Sequence, residues 1–228
     1  MPQTSASDWS EDRLQDSGTP PLKRRRQQRS IDTRLKIVNA ALSEFARFGF
    51  DGSSTRGISQ AAEVPHSLVI HHFKNKEDLW HATVREAVSW YLDRVFLPEQ
   101  DGTSTAADRL RHYFAEYIRF SADHPDFFRM ITQENTLRSE RLCWLVENHV
   151  GATTARTSAL IAAAQAEGAF VDGDPLQLLY IFLGAATAPY RSSAEIEMLT
   201  GTPVSGAGQV EEHIRTCEKL FFRNPAGN

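Results

Sequence analysis

An all-α fold in two parts is predicted, and three observations carry the prediction. Apolar residues recur at helical spacing through most of the chain, and no segment of any length alternates with the period of a strand. Two short helical stretches, the first capped at Ser53 or Ser54 and the second at 67–72, flank a tight polar break, which is the outline of a helix-turn-helix. Charge is unevenly divided: residues 23–85 hold 12 Lys/Arg against 6 Asp/Glu, so the net −4 conceals a segment of +6 beside a remainder of −10. The expected organisation is a disordered basic arm over 1–30, an N-terminal three-helix (homeodomain-like) helix-turn-helix domain over 31–78, and a C-terminal helical body over 79–224.

Residues 1–22 are rich in Ser, Asp, Gln, Thr and Pro and too poor in apolar groups to pack. Lys23, Arg24, Arg25, Arg26 and Arg29 follow as a basic arm placed to lie on phosphates or in a minor groove. From 31 to 48, Leu35, Val38, Leu42 and Phe45, with Ala41 and Phe48 beside them, mark the buried face of a first helix. Gly49 permits a left-handed stop. Ile58, Ala61 and Ala62 form the inner face of the second helix, and Glu63-Val64-Pro65 is the turn, where proline ends the helical pattern. Ser67 to His72 is the outward helix, and Phe73 plugs the three-helix core.

A long helix starts at Lys74 or Asn75, with Glu77 and Asp78 favoured in its first turn by the helix dipole. Its inner side reads Leu79, Thr83, Val84, Ala87, Tyr91 and Val95, and it ends near Pro98. Residues 100–105 are loop, 106–122 an amphipathic helix, and Pro125 opens another. A helix over 138–167 has a weak point at Gly151. Residues 176–189 are apolar almost all round, so this helix needs cover on every side, and a second copy of the chain can supply it. Val210, Ile214, Cys217 and Phe221 mark a last helix. These two helices are the expected homodimer interface.

No window approaches 18 consecutive apolar residues, and the N-terminus lacks a secretory pattern, so the expected location is cytoplasmic. Cys143 and Cys217 fit no metal spacing and read as two largely buried thiols. His66, His71, His72 and His81 lack an i, i+4 pair with a completing acid or thiol, so no metal and no cofactor is expected. No Gly-rich phosphate loop, nucleophile elbow or zinc-protease motif occurs, which argues against an enzyme.

The segment 33–79 resembles the DNA-binding domain of TetR-family transcriptional regulators. The resemblance is carried by AALSEFARFG near 41–49, the helix 54–61, the turn at 62–64, and His72-Phe73-Lys74-Asn75-Lys76-Glu77-Asp78-Leu79. The remaining body is similar, more loosely, to that family's ligand-binding and dimerisation half. The resemblance and the positions together imply DNA contacts from Ser54 and Arg56, from His66, Ser67, Leu68 and His71, and a phosphate contact from Lys76, with Arg25 and Arg26 of the arm beside them.

Two positions depart from the family pattern. Glu63 stands where the turn usually has Gly, so the turn forms without a residue that freely takes positive φ. Ile70 replaces the usual Tyr; it either touches a thymine methyl or packs, and packing is the expectation. Candidate ligand-pocket residues are Tyr117, Arg119, Phe127, Gln133, Glu134, Trp144, His149, Tyr180 and Thr187, on the rule that pockets combine apolar walls with a few polar anchors. The function so implied is a ligand-responsive repressor that binds a near-palindromic double-stranded operator as a homodimer and releases it on binding a small-molecule effector. Its rivals are an architectural DNA binder indifferent to ligand and, behind it, a helical-bundle enzyme.

Overall fold

The computed structural model describes residues 22–95 and 104–223, with side chains from 26 onward. The helices are α1 Leu22–Gly52, α2 Thr55–Ala61, α3 His66–His72, α4 Lys76–Val95, α5 Ala106–Asp123, α6 Pro125–Glu134, α7 Glu140–Leu145, α8 Gly151–Ala166, α9 Pro175–Arg191, α10 Ser193–Thr200 and α11 Ala207–Phe221. Among the described residues, the only β pairing is an isolated antiparallel bridge between Phe170 and Phe222. The all-α expectation therefore holds.

The chain folds as two compact units. One comprises 22–87 with Arg129–Gln133 of α6; the other comprises 88–95, 104–128 and 134–223. The division falls later than Leu79, because the first three turns of α4 belong to the N-terminal unit. Leu79, Trp80 and Val84 are completely buried there. Trp80 was not singled out by the periodicity; α4 buries more than one stripe.

In the N-terminal unit, α1 buries Ile37, Val38, Ala41, Leu42, Phe45 and Ala46. Phe48, placed in the core by its spacing, is instead exposed, with the Arg47 guanidinium 4.9 Å above its ring. Helix α1 begins at Leu22, so the basic run over 23–29 is carried on a helix rather than as an extended arm. Arg26 and Arg29 are exposed, while the side chain of Arg25 and residues 1–21 lie outside the described residues. Gly49 adopts φ 70 and ψ 174, which kinks the chain, and the last turn continues to Gly52.

The cap expected at Ser53 or Ser54 forms at Ser54, and a second forms at Asn75. Ser54 Oγ accepts from Gly57 N at 3.0 Å, while Ser53 Oγ donates to the Phe50 carbonyl. Asn75 Oδ1 accepts from Asp78 N at 2.7 Å at the start of α4. The end of α4 near Pro98 falls outside the described residues.

The C-terminal unit is built on α5, which buries Leu110, Tyr113, Phe114, Tyr117, Ile118 and Phe120. Thr105 and Asp108 form a reciprocal capping box at its start. The Glu167 carboxylate accepts from Ala106 N and Ala107 N, at 2.8 and 2.9 Å. The helix expected over 138–167 is α7 and α8 joined by a π-helical turn, Val146–Val150. Gly151 is the weak point for a steric reason: a Cβ there would lie 3.0 Å from the Val146 carbonyl oxygen, which accepts the π bond.

Asp174 caps α9, with Pro175 in its first turn. This helix buries Leu179, Phe182 and Ala186 but leaves Leu176, Tyr180 and Ile181 exposed. Helix α10, absent from the periodicity reading, carries exposed Met198 and Leu199. Helix α11 buries the expected stripe of Val210, Ile214, Cys217 and Phe221. Cys143 corrects the expectation of two buried thiols, for it is exposed on α7. Cys217 is buried, and burial pushes its thiol up to about 11. No helix among the described residues is long and apolar enough to cross a membrane.

Candidate functional site

The site begins with the turn between α2 and α3. The N–H of Val64 donates to the Ser59 carbonyl at 3.0 Å and that of Glu63 to the Gln60 carbonyl at 3.0 Å. This pair of bonds is a Schellman closure, which requires its C′ residue to be left-handed. That residue is Glu63, with φ 51, the one non-glycine at positive φ among the described residues. The turn thus does not avoid positive φ; it imposes it on a residue with a side chain. Pro65 follows, and α3 runs for seven residues.

Helix α3 turns Val69 inward, and Phe73, whose N–H donates to the Val69 carbonyl at 2.8 Å, seals the core behind it. Ser67, Leu68, Ile70 and His71 face outward. The expected packing of Ile70 is overturned: it is 45% exposed, because Val69 already occupies the inward position. His66 is half-buried and shares a hydrogen bond of 3.1 Å with Thr55 Oγ1, which ties the start of α3 to the start of α2. Ser54 and Arg56 are exposed at the start of α2. His72 is half-buried, and burial, with His71 and Arg34 adding to it, lowers its pKa.

Lys76, expected to meet a phosphate, is also tied into the fold. Its Nζ donates to the Phe50 carbonyl at 2.7 Å and the Ser53 carbonyl at 3.1 Å, and sits 4.3 Å from the Phe50 ring centroid. It ties α4 to the end of α1 and the approach to α2. Two of its three N–H donors are committed to the fold, and the third is left over.

The candidate pocket residues do not converge on one place. Tyr117 and Phe127 are buried together with Tyr91, Phe120, Phe128 and Phe182, at ring-centroid distances of 5.0–6.1 Å along the cluster. Arg119 corrects its assignment: it pairs with Glu211 at 2.9 Å and Glu116 at 2.8 Å on the outside of α5, which raises its pKa. Gln133 belongs to the N-terminal unit, where its Nε2 donates to the Ala46 carbonyl at 3.0 Å. Tyr180 is 56% exposed and lines no interior.

Glu134 is buried but accepts from Arg141 Nε at 3.1 and 3.2 Å. Thr187 bonds its own helix through the Leu183 carbonyl. Trp144 and His149 meet edge to face at 5.1 Å beside the π turn. Tyr91 and Tyr113 were missed as polar groups of this interior. Their hydroxyls meet at 3.1 Å, and burial raises both pKa values. Two phenols on adjacent helices at core positions were the available signal. Among the described residues no group of His, Cys, Asp and Glu is arranged to hold a metal ion.

Comparison with known proteins bears on both units. A family model described as bacterial regulatory proteins, tetR family, matches residues 37–83, and one described as tetracyclin repressor-like, C-terminal domain, matches 107–219. The two together span most of the chain. The chain belongs to the tetR family. The HTH-type transcriptional regulator RutR of Escherichia coli K12 is similar at 27% identity over 199 residues, covering 86% of this chain and 92% of RutR.

Two solved structures share the fold of this tetR-family chain. KstR2 of Mycobacterium tuberculosis, a ketosteroid transcriptional regulator, superposes with a TM-score of 0.67 at 17% identity, covering 84% of this chain and 95% of that one. AibR, in complex with isovaleryl coenzyme A and operator DNA, gives 0.67 at 18% identity, covering 82% and 97%. The tetR-family chain is accordingly a DNA-binding transcriptional regulator and not an enzyme.

Proposed function

We propose that the protein is a ligand-responsive repressor that binds a near-palindromic operator as a homodimer. The observation that carries the reading is the outward face of α3, where Ser67, Leu68, Ile70 and His71 are exposed with Arg56 beside them. An α-helix so presented fits the B-DNA major groove, about 12 Å wide. Ser54, Arg56 and the helix-borne Arg25, Arg26 and Arg29 serve the phosphates, which position the protein; Ser67 and His71 meet base edges, which specify the sequence. Lys76 acts through the fold.

The homodimer reading is supported by α9. Tyr180 and Ile181 are 56% and 59% exposed, Leu176 lies one turn before them, and a Cβ at Gly184 would meet nothing within 4 Å. An apolar helix face open to this degree is suited to its own two-fold mate. Effector binding belongs to the C-terminal unit, whose phenol-lined aromatic interior offers hydroxyls within apolar walls. AibR, solved with isovaleryl coenzyme A and operator DNA together, lends support by analogy of fold. An effector acts only through unequal affinity for the DNA-competent and DNA-incompetent conformations.

The test is a footprint over a selected operator, with sedimentation of the complex. A discrete protected site occupied by two chains is expected, with log affinity falling linearly in log salt at about 0.9 per phosphate neutralised. Protection without any discrete site would leave the architectural reading in its place. Changing Ser67 or His71 should alter base preference, whereas losing Arg56 should weaken all sequences alike.

A further inference from the structure

We propose that Leu68 and Ile70 make this regulator a reader of thymine methyl groups, an inference that rests on the reading above that α3 enters the major groove. Leu68 is 36% and Ile70 45% exposed, although Val69 between them is completely buried. The fold therefore leaves a third or more of each residue uncovered. Ser67, Ile70 and His71 stand at i, i+3 and i+4, and Leu68 and His71 at i and i+3, so the four share one outward face. Around the helix, Ser67 and His71 lie at the centre of that face, with Ile70 on one flank and Leu68 on the other, roughly 160° apart.

Neither Leu68 nor Ile70 can donate or accept a hydrogen bond, so neither can hold a phosphate or a base edge in that way. What an aliphatic side chain can recognise in the major groove is the thymine C5-methyl, the apolar mark that distinguishes that base from all others there. Ile70 is branched at Cβ and stiff about χ1, so little rotamer freedom is lost when it docks. Sugar carbons offer an apolar contact as well, but one that carries no sequence information.

The experiment uses the full chain and an operator selected from a random duplex pool. Each thymine is replaced in turn by deoxyuridine, which removes the methyl and leaves every hydrogen-bonding group in place. One or two thymines per half-site should respond, each weakening binding about fourfold, the worth of one buried methyl-sized group. Symmetric replacement in both half-sites should give about fifteenfold on the same scale. Ile70→Ala and Leu68→Ala, both at exposed positions, should bind the thymine and uracil operators equally at the position each one reads.

A uracil scan of the unaltered protein that finds no sensitive position overturns the proposal, and so does a sensitivity that survives unchanged in both alanine variants. A pool that yields no preferred sequence at all overturns the operator reading together with it. The uracil scan stands without the variants, so a folding defect in either leaves the question decidable.

Discussion

Replacing Glu63 by glycine should make the N-terminal unit more stable. The Schellman closure of α2 holds Glu63 at φ 51, whereas the same closure at the end of α8 uses a glycine. There Gly168 stands at φ 71, with its N–H on the Gln165 carbonyl and that of Ala169 on the Ala164 carbonyl. Holding a residue with a Cβ left-handed costs ~1–2 kcal/mol. Glycine returns part of that gain, ~0.4–1 kcal/mol, through the greater freedom of its unfolded chain.

The Lys36–Glu63 ion pair is long, 3.5 Å, and its side chains are 52% and 83% exposed, so losing it costs at most a few tenths of a kcal/mol. The net for Glu63→Gly is a gain of roughly 0.5–1 kcal/mol, from the difference of these terms. At a urea slope of ~2 kcal/mol per molar, the midpoint rises by about 0.3–0.5 M. Unfolding followed by tryptophan fluorescence is the assay, since the fully buried Trp80 reports on this unit. Glu63→Ala is the control, because it keeps the conformational cost and loses only the ion pair. If the glycine variant proves no more stable than the alanine variant, the assignment of strain to this turn is wrong.

Three further outcomes follow from particular side chains. Lys76→Met keeps the aliphatic stem but strips the donors from the Phe50 and Ser53 carbonyls, so the N-terminal unit should lose about 1–3 kcal/mol in a urea titration. Operator affinity of the folded fraction should meanwhile fall less than it does for Arg56→Ala. Arg141→Ala leaves the buried Glu134 carboxylate without its guanidinium, and because Arg141 keeps 21% of its side chain exposed the loss should be about 2–3 kcal/mol, somewhat below that of a fully buried pair.

His124 supplies a pH dependence. Burial and the nearby Arg94 hold it at about 4, below its ordinary 6.5, so between those values the unfolded chain binds the proton and the folded chain does not. Its contribution is intact above pH 6.5 and fades as the pH falls toward 4, by roughly 3 kcal/mol in all. His72 and His213, both lowered chiefly by burial, act in the same direction. Urea midpoints at pH 7 and pH 5 should therefore separate less in His124→Gln than in the unaltered protein.

What the sequence made legible follows from how local the determining physics is. Caps at Ser54, Asn75, Thr105 and Asp174 were readable, or sat at breaks that were, because a short polar side chain before a helical run satisfies backbone donors a few residues away. The weak point at Gly151 was readable for the same reason, although that it takes the form of a π turn was not. The outward face of α3 was legible where polar residues marked it, and illegible at Ile70, where hydrophobicity pointed inward and only the burial of Val69 decided the matter.

Lys76 and Arg119 show the complementary failure. Each is a cation with partners at least 23 residues away, Phe50 and Ser53 for one and Glu211 for the other, and no pattern along the chain announces those pairings; only the contact of Arg119 with Glu116 is local. Charge read along a sequence reports where cations are, and tertiary contact decides which of them remain available to DNA. Arg56 and Lys76 looked alike in the sequence, and the fold leaves one exposed and makes the other an internal tie. Substituting the two side by side separates a loss of affinity from a loss of stability, which is the distinction on which the proposed DNA-facing surface depends.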